Sequence, residues 1–65
     1  MKRSQCAAIL EHFKRGYSLT PLEALRRFGC LRLAARCADL REAGYRIRSR
    51  MVTIGDKRVA RYWLA

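Results

Sequence analysis

The residues best suited to chemistry in this sequence are arginines, and two of them stand one helical turn apart. Arg32 and Arg36 flank the small residue Ala35 in a segment with helical periodicity. A guanidinium can donate two parallel hydrogen bonds to a phosphate or to the O6/N7 edge of guanine, and each good guanine contact contributes about 1–3 kcal/mol of base discrimination. Arg32, Ala35 and Arg36 are therefore the candidates for contact with nucleic-acid bases.

The chain as a whole is strongly basic. Fifteen Lys and Arg against five Asp and Glu give 65 residues a net charge of +10, and twelve of the fifteen are Arg. So many positive charges repel one another in a small folded domain and destabilise it, which indicates a polyanionic partner. Nucleic acid is the first candidate, an anionic membrane surface the second and an acidic protein the third. A GC-rich genome, whose codons favour Arg, explains the arginine content equally well.

Three cysteines and one histidine raise the question of a metal site. Cys6, His12, Cys30 and Cys37 lack the Cys-x2-Cys spacing of a zinc finger, and the cysteines fall on apolar stripes. Buried free thiols explain them better, so we expect no metal and no cofactor. We also expect no enzyme, because the chain has one His, no Gly-rich phosphate loop and no paired carboxylates. An odd cysteine count, no leader pattern and no long apolar run predict a cytoplasmic protein without a membrane segment.

Three helices are predicted to position these side chains. The first covers about 5–15 after a Ser4 cap, with His12 on its outer side. The second covers about 21–27, because Thr20-Pro21-Leu22-Glu23 forms a capping box with Pro at the first position. We expect Leu22, Leu25 and Phe28 to face inward. The third covers about 31–43; its expected buried side is Leu33, Ala34, Cys37 and Leu40, and its expected outer stripe is Arg32, Ala35, Arg36 and Asp39.

After the third helix, the spacing of apolar residues changes from about 3.6 to 2 positions, which predicts a β-hairpin with strands over 46–54 and 57–64. A two-residue Gly55-Asp56 loop pairs Ile54 with Lys57 and Ile47 with Leu64. One face, with Ile47, Met51 and Tyr62, is expected to pack on the helices. The other places Arg50 opposite Arg61 and Arg48 opposite Trp63, where a cation–π pair is an alternative to a ligand contact.

Two helices joined by a short turn, the second of which carries a basic stripe, indicate a helix-turn-helix motif. A hairpin that follows such a motif indicates a wing. The predicted fold is thus mainly α with a C-terminal β-hairpin, a single winged helix-turn-helix domain over 1–65. Asp39 is expected to hold Arg36 in place. The candidates for contact with the DNA backbone are Arg26, Arg27, Arg50, Lys57, Arg58 and Arg61.

The sequence also resembles the small helix-turn-helix proteins of bacteriophages and prophages. The resemblance extends from Ala8 to Leu64 and lies in Thr20-Pro21-Leu22-Glu23-Ala24-Leu25, Gly29-Cys30-x-Arg32-Leu33-Ala34-Ala35-Arg36, Asp39-Leu40-Arg41, Gly44-Tyr45 and Lys57-Arg58-Val59-Ala60-Arg61-Tyr62. It implies a winged helix-turn-helix and a DNA-binding role in a phage or mobile element, as a transcriptional regulator or an excisionase-like architectural factor. Leu31 departs from the pattern, since a short capping hydroxyl is expected there.

Other partners remain open at this stage. A phage protein can use the same basic scaffold to bind an acidic host protein, and RNA or an anionic membrane are weaker alternatives. No heptad pattern or large spare apolar patch indicates a dimer interface. We therefore expect a monomer in solution that cooperates on DNA.

Overall fold

The chain folds as three helices followed by one antiparallel hairpin, as predicted. A computed structural model describes residues 5–65, so the expected Ser4 cap lies outside the described residues. The elements are α1 Gln5–Lys14, α2 Pro21–Phe28, α3 Leu33–Glu42, β1 Ile47–Ile54 and β2 Lys57–Leu64. The largest difference from the predicted bounds is at α3, which begins two residues later than expected.

The start and the end of α2 are fixed by its sequence. The Thr20 hydroxyl accepts the Glu23 N–H at 3.3 Å, and the Glu23 carboxylate accepts the Thr20 N–H at 2.9 Å, which completes the predicted capping box. The helix ends at Gly29, whose φ of +65° is in the left-handed region. The N–H groups of Gly29 and Cys30 then return to the carbonyls of Leu25 and Ala24.

The core takes side chains from all three helices, from the turns between them and from β1. Cys30, in the turn after α2, is 1 % exposed and anchors that turn in the interior. The buried apolar residues are Ile9, Phe13, Leu19, Ala24, Cys30, Leu33, Cys37, Leu40 and Ile47.

The inward face predicted for α2 is confirmed at Phe28, which packs against the core, and wrong at Leu22 and Leu25. Leu22 and Leu25 are 56 % and 43 % exposed, whereas Ala24 is fully buried and Phe28 is half-buried. Within α2, Ala24 is the residue that is fully buried, and Phe28 packs against the core at the end of the helix. The outer position predicted for His12 is also wrong. Its half-buried ring packs near Tyr17 and Phe28, and its Nε2–H donates to the Ser18 carbonyl at 3.1 Å.

The hairpin register is confirmed at every pair from Ile47–Leu64 to Ile54–Lys57, and Gly55 in the loop has a φ of +64°. Burial follows the predicted face only at the base of the hairpin. Ile47 is buried and Tyr62 packs on the core, but Met51 is 50 % exposed. The outer half of this face therefore extends beyond the helices.

Sequence periodicity did not reveal a third strand-like segment. Leu19 pairs with Tyr62 in an antiparallel bridge, with N–H to carbonyl distances of 2.9 and 2.8 Å in the two directions. A single paired residue leaves no alternating pattern in a sequence. The bridge matters for the surface because it holds the start of α2 beside β2.

Candidate nucleic-acid interface

The turn between α2 and α3 consists of residues 29–32, and it leads directly into the helix expected to contact bases. Arg32 is the residue before the first turn of α3, at φ −131° and ψ 68°, and its side chain makes no capping hydrogen bond. Among residues 5–65, no side chain accepts a hydrogen bond from the first N–H groups of α3. Those N–H groups and the exposed Arg32 guanidinium together form a positively polarised helix end.

The outer stripe predicted for α3 is confirmed at Arg32 and Asp39, which are exposed, and wrong in its middle. Ala35 and Arg36 are half-buried rather than fully outside, and Ala34, predicted to be buried, is exposed. The exposed residues of the helix are Ala34, Ala38, Asp39, Arg41 and Glu42. α1 packs against α3, and its Cys6 contacts Asp39.

Asp39 connects this stripe to α1. Its carboxylate lies 3.3 Å from the Arg36 guanidinium and 3.9 Å from the Cys6 thiol of α1. The Arg36 and Asp39 side chains are 38 % and 53 % exposed. Solvent therefore screens the ion pair, which contributes at most about 1 kcal/mol to stability. Its main effect is to fix the direction of the Arg36 guanidinium, as expected from the sequence.

The acidic residues of α3 lie in its second half. Arg32 and Arg36 stand at the start, whereas Asp39 and Glu42 stand toward the end. Arg41 is engaged elsewhere, because its Nε–H donates to the Ile47 carbonyl at 2.8 Å and links α3 to β1. The helix is therefore electrostatically suited to approach a polyanion with its first half.

The hairpin carries the second group of candidate contacts. Lys57 and Arg58 are exposed beside the loop, and Arg50 is exposed on β1 opposite Arg61. Arg61 differs from the others: it is half-buried, and its Nε atom is enclosed without a hydrogen-bond partner within residues 5–65. Arg26 and Arg27 are exposed in the last turn of α2.

The cation–π pair considered for Arg48 and Trp63 does not form, although the register places the two residues opposite each other. Within the described chain, the cation–π contact is made by Lys14, whose ammonium lies 5.6 Å from the Tyr45 ring centroid. The Arg48 side chain is exposed. It is thus available to a ligand, together with Arg50 on the same face.

The basic side chains are spread more widely than a single face formed by α3 and the wing tip. Exposed cations also emerge from the end of α1, at Lys14 and Arg15, and from α2, at Arg26 and Arg27. Arg15 is paired with Glu11 at 2.9 Å. Exposed cations also lie at the start of α3, at Arg32, and along the hairpin, at Arg48, Arg50, Lys57 and Arg58.

The thiols behave as buried structural groups. Cys30 and Cys37 are buried, Cys6 is half-buried, and all three are free. Burial raises the pKa of the Cys37 thiol to about 11, partly opposed by the Arg41 charge. Between Gln5 and Ala65, no group of three or more His, Cys, Asp or Glu side chains has the arrangement of a metal site.

A comparison with known families agrees with this architecture. The winged helix-turn-helix domain family matches residues 4–65, so the chain belongs to this family. The fold is a DNA-binding fold, and family membership implies binding to double-stranded DNA. Neither a curated protein nor a solved structure matches the chain. Within residues 5–65, no helix has the length and apolar character needed to cross a membrane.

Proposed function

We propose that this chain is a sequence-preferring double-stranded DNA-binding protein of a phage or mobile element, and that it acts as a transcriptional regulator or an excisionase-like architectural factor. Its role is binding rather than catalysis, at the DNA of a bacterial host cell. The observation that carries the proposal is the uncapped, basic start of α3 within a winged helix-turn-helix.

In this proposal α3 enters the major groove with its first half. The N–H groups of the first turn face phosphate oxygens, which the positive end of a helix favours. Arg32 and Arg36 reach base edges, with Arg36 directed by Asp39. Ala34 and Ala35 have small side chains, so the helix can approach the bases closely. Asp39 and Glu42 lie toward the other end of the helix, which leaves the groove.

The wing contacts the DNA backbone or the minor groove. Lys57 and Arg58 beside its loop are the most exposed candidates, and Arg26 and Arg27 of α2 add contacts to a flanking phosphate. A phosphate between Arg50 and Arg61 would relieve the repulsion of two cations paired across the strands. These are contacts to phosphate, so they contribute affinity without base preference.

A module of this size buries about 600–1,000 Å² on DNA, which limits the specificity of one copy. We therefore propose a monomer in solution that binds cooperatively at adjacent sites. Sedimentation of the free protein gives a single monomeric species if this is correct. A stable dimer without DNA would contradict it.

The function is tested by selecting bound sequences from random duplex DNA and measuring the affinity of the selected duplex against salt. We expect an enriched motif and a log–log slope of about −0.9 for each phosphate neutralised. No enrichment and a flat salt dependence would reject DNA binding. If a pull-down from host extract then survives nuclease and high salt, the alternative function, binding of an acidic host protein, replaces it.

A further inference from the structure

An apolar groove lies between the start of α2 and the outer part of the wing. Its volume is about 280 Å³. Two of its large apolar side chains, Leu22 and Ile54, are 56 % and 53 % exposed to solvent. The lining residues are Thr20, Pro21, Leu22, Ile54, Lys57 and Val59.

The groove is held by rigid elements on both sides. On one side, the Thr20 capping box fixes Pro21 and Leu22 at the start of α2. On the other, the hairpin register places Ile54 opposite Lys57, and strand alternation puts Val59 on the same face. The Leu19–Tyr62 bridge joins the two sides. The exposed apolar surface is therefore preformed, and a partner meets little ordering cost there.

The size of the groove restricts what it can accept. Pockets for drug-sized ligands and cofactors have volumes of about 300–1,000 Å³, so this groove is at the lower limit and suits one large apolar side chain. Such a side chain is typical of an anchor residue in a protein segment. DNA offers no comparable group apart from the thymine methyl.

The charges around the groove favour a partner segment that carries negative charge beside its apolar side chain. Lys57 lines it, and Arg26 stands one turn along α2 from Leu22; both side chains are exposed. The nearby Glu23 carboxylate is already occupied by the Thr20 N–H. With a net charge of +10, a second copy of this chain is repelled, whereas a segment with Asp and Glu is attracted.

We propose that the groove between α2 and the wing docks an acidic protein segment that inserts one large apolar side chain between Leu22 and Ile54. Flanking carboxylates of that segment pair with Lys57 and Arg26. This site is separate from the start of α3, and it shares Lys57 and Arg26 with the surface proposed to contact the DNA backbone. It gives the protein a surface for a protein partner in addition to its surface for DNA.

The test is a selection of short peptides from a random display library on the immobilised full-length protein. The expected enriched peptides combine one Leu, Ile, Phe or Trp with neighbouring Asp or Glu. Their synthetic, fluorescein-labelled forms are then measured by anisotropy against the wild type, L22S and I54S. Both substitutions replace exposed side chains, so far-UV circular dichroism should remain unchanged. L31S is the matched control, because Leu31 is 81 % exposed and does not line the groove.

We expect L22S and I54S each to weaken peptide binding by about tenfold, the factor for losing burial of one large apolar side chain. L31S binds like the wild type, and affinity for the selected duplex is unchanged in L22S. The proposal is overturned if no acidic–apolar peptides are enriched or if L22S and I54S bind them like the wild type. It is also overturned if L22S lowers the affinity for the selected duplex by the same factor as the affinity for the peptide, since the groove would then belong to the DNA surface. Wild-type affinity for the duplex, measured separately, tests the proposed function.

Discussion

The Nη1 atom of Arg36 lies 3.3 Å from the Oδ2 atom of Asp39, three positions further along α3. The same Oδ2 atom lies 3.9 Å from the Cys6 thiol of α1. The candidate base-contacting arginine is thus directed by an acid that itself contacts a neighbouring helix. This relationship predicts that Asp39 increases sequence preference and decreases total affinity.

Replacement of Asp39 by Asn tests this pair. D39N removes one negative charge from the DNA-binding helix and releases Arg36, so we expect tighter binding to every duplex and a smaller ratio between the affinities for selected and random duplexes. Stability should fall by less than about 1 kcal/mol, because the ion pair is exposed. Anisotropy at low salt measures both affinities. An unchanged ratio would show that Asp39 does not position Arg36.

The wing tip is predicted to contribute affinity without specificity. K57A and R58A each remove one cation that faces a phosphate, so we expect weaker binding to all duplexes alike. The salt slope should fall by about one unit in the log–log plot in each variant. R15A is the matched control, because Arg15 is already paired with Glu11 on α1. A change of sequence preference in K57A or R58A would place the wing against the bases.

The capping box is predicted to support the helix-turn-helix. Thr20 is 4 % exposed, and its hydroxyl is the acceptor for the Glu23 N–H. T20A should therefore lower the free energy of unfolding by about 1 kcal/mol. T20S retains the hydroxyl and is expected to restore most of the loss. Urea unfolding measures both variants, and equal stability of T20A and the wild type would contradict the role of the cap.

Alkaline pH should destabilise the protein through Cys37. Burial raises the pKa of this thiol to about 11 in the folded state, while the unfolded chain keeps its ordinary value of 9.0. The folded state therefore favours the protonated thiol. Its contribution to stability is full below pH 9.0 and is lost as the pH rises toward about 11.

This contribution is isolated by comparing the wild type with C37A in urea unfolding at a series of alkaline pH values. The difference in the free energy of unfolding between the two should shrink with pH, with a slope of at most about 1.4 kcal/mol per pH unit. Other groups that titrate in this range affect both proteins equally. A constant difference would show that the buried thiol does not contribute.

Local sequence signals predicted the elements and the hairpin well. The capping box of α2 and the Gly55-Asp56 loop depend on residues within a few positions of one another, and the loop determines every later pair in the register. The order of three helices and a hairpin follows from these signals. The family match to residues 4–65 confirms the fold that they predicted.

Contacts between elements could not be predicted in the same way. The exposure of Leu22 and Leu25 depends on how closely α2 approaches the core, which is decided by Ala24. The rotation of α3 depends on α1, whose Cys6 contacts Asp39. The Leu19–Tyr62 bridge joins residues far apart in the chain. The periodicity of apolar residues predicts which side of a helix is apolar. It does not predict which neighbouring element packs against each side of that helix.

The most direct test of the account is the affinity of R36A for the selected duplex and for random duplex DNA at one salt concentration. We expect the affinity for the selected duplex to fall by about tenfold, consistent with the removal of one good guanine interaction, and the affinity for random DNA to change little. Equal decreases on the two duplexes would contradict the central claim that the first half of α3 contacts the bases through Arg36.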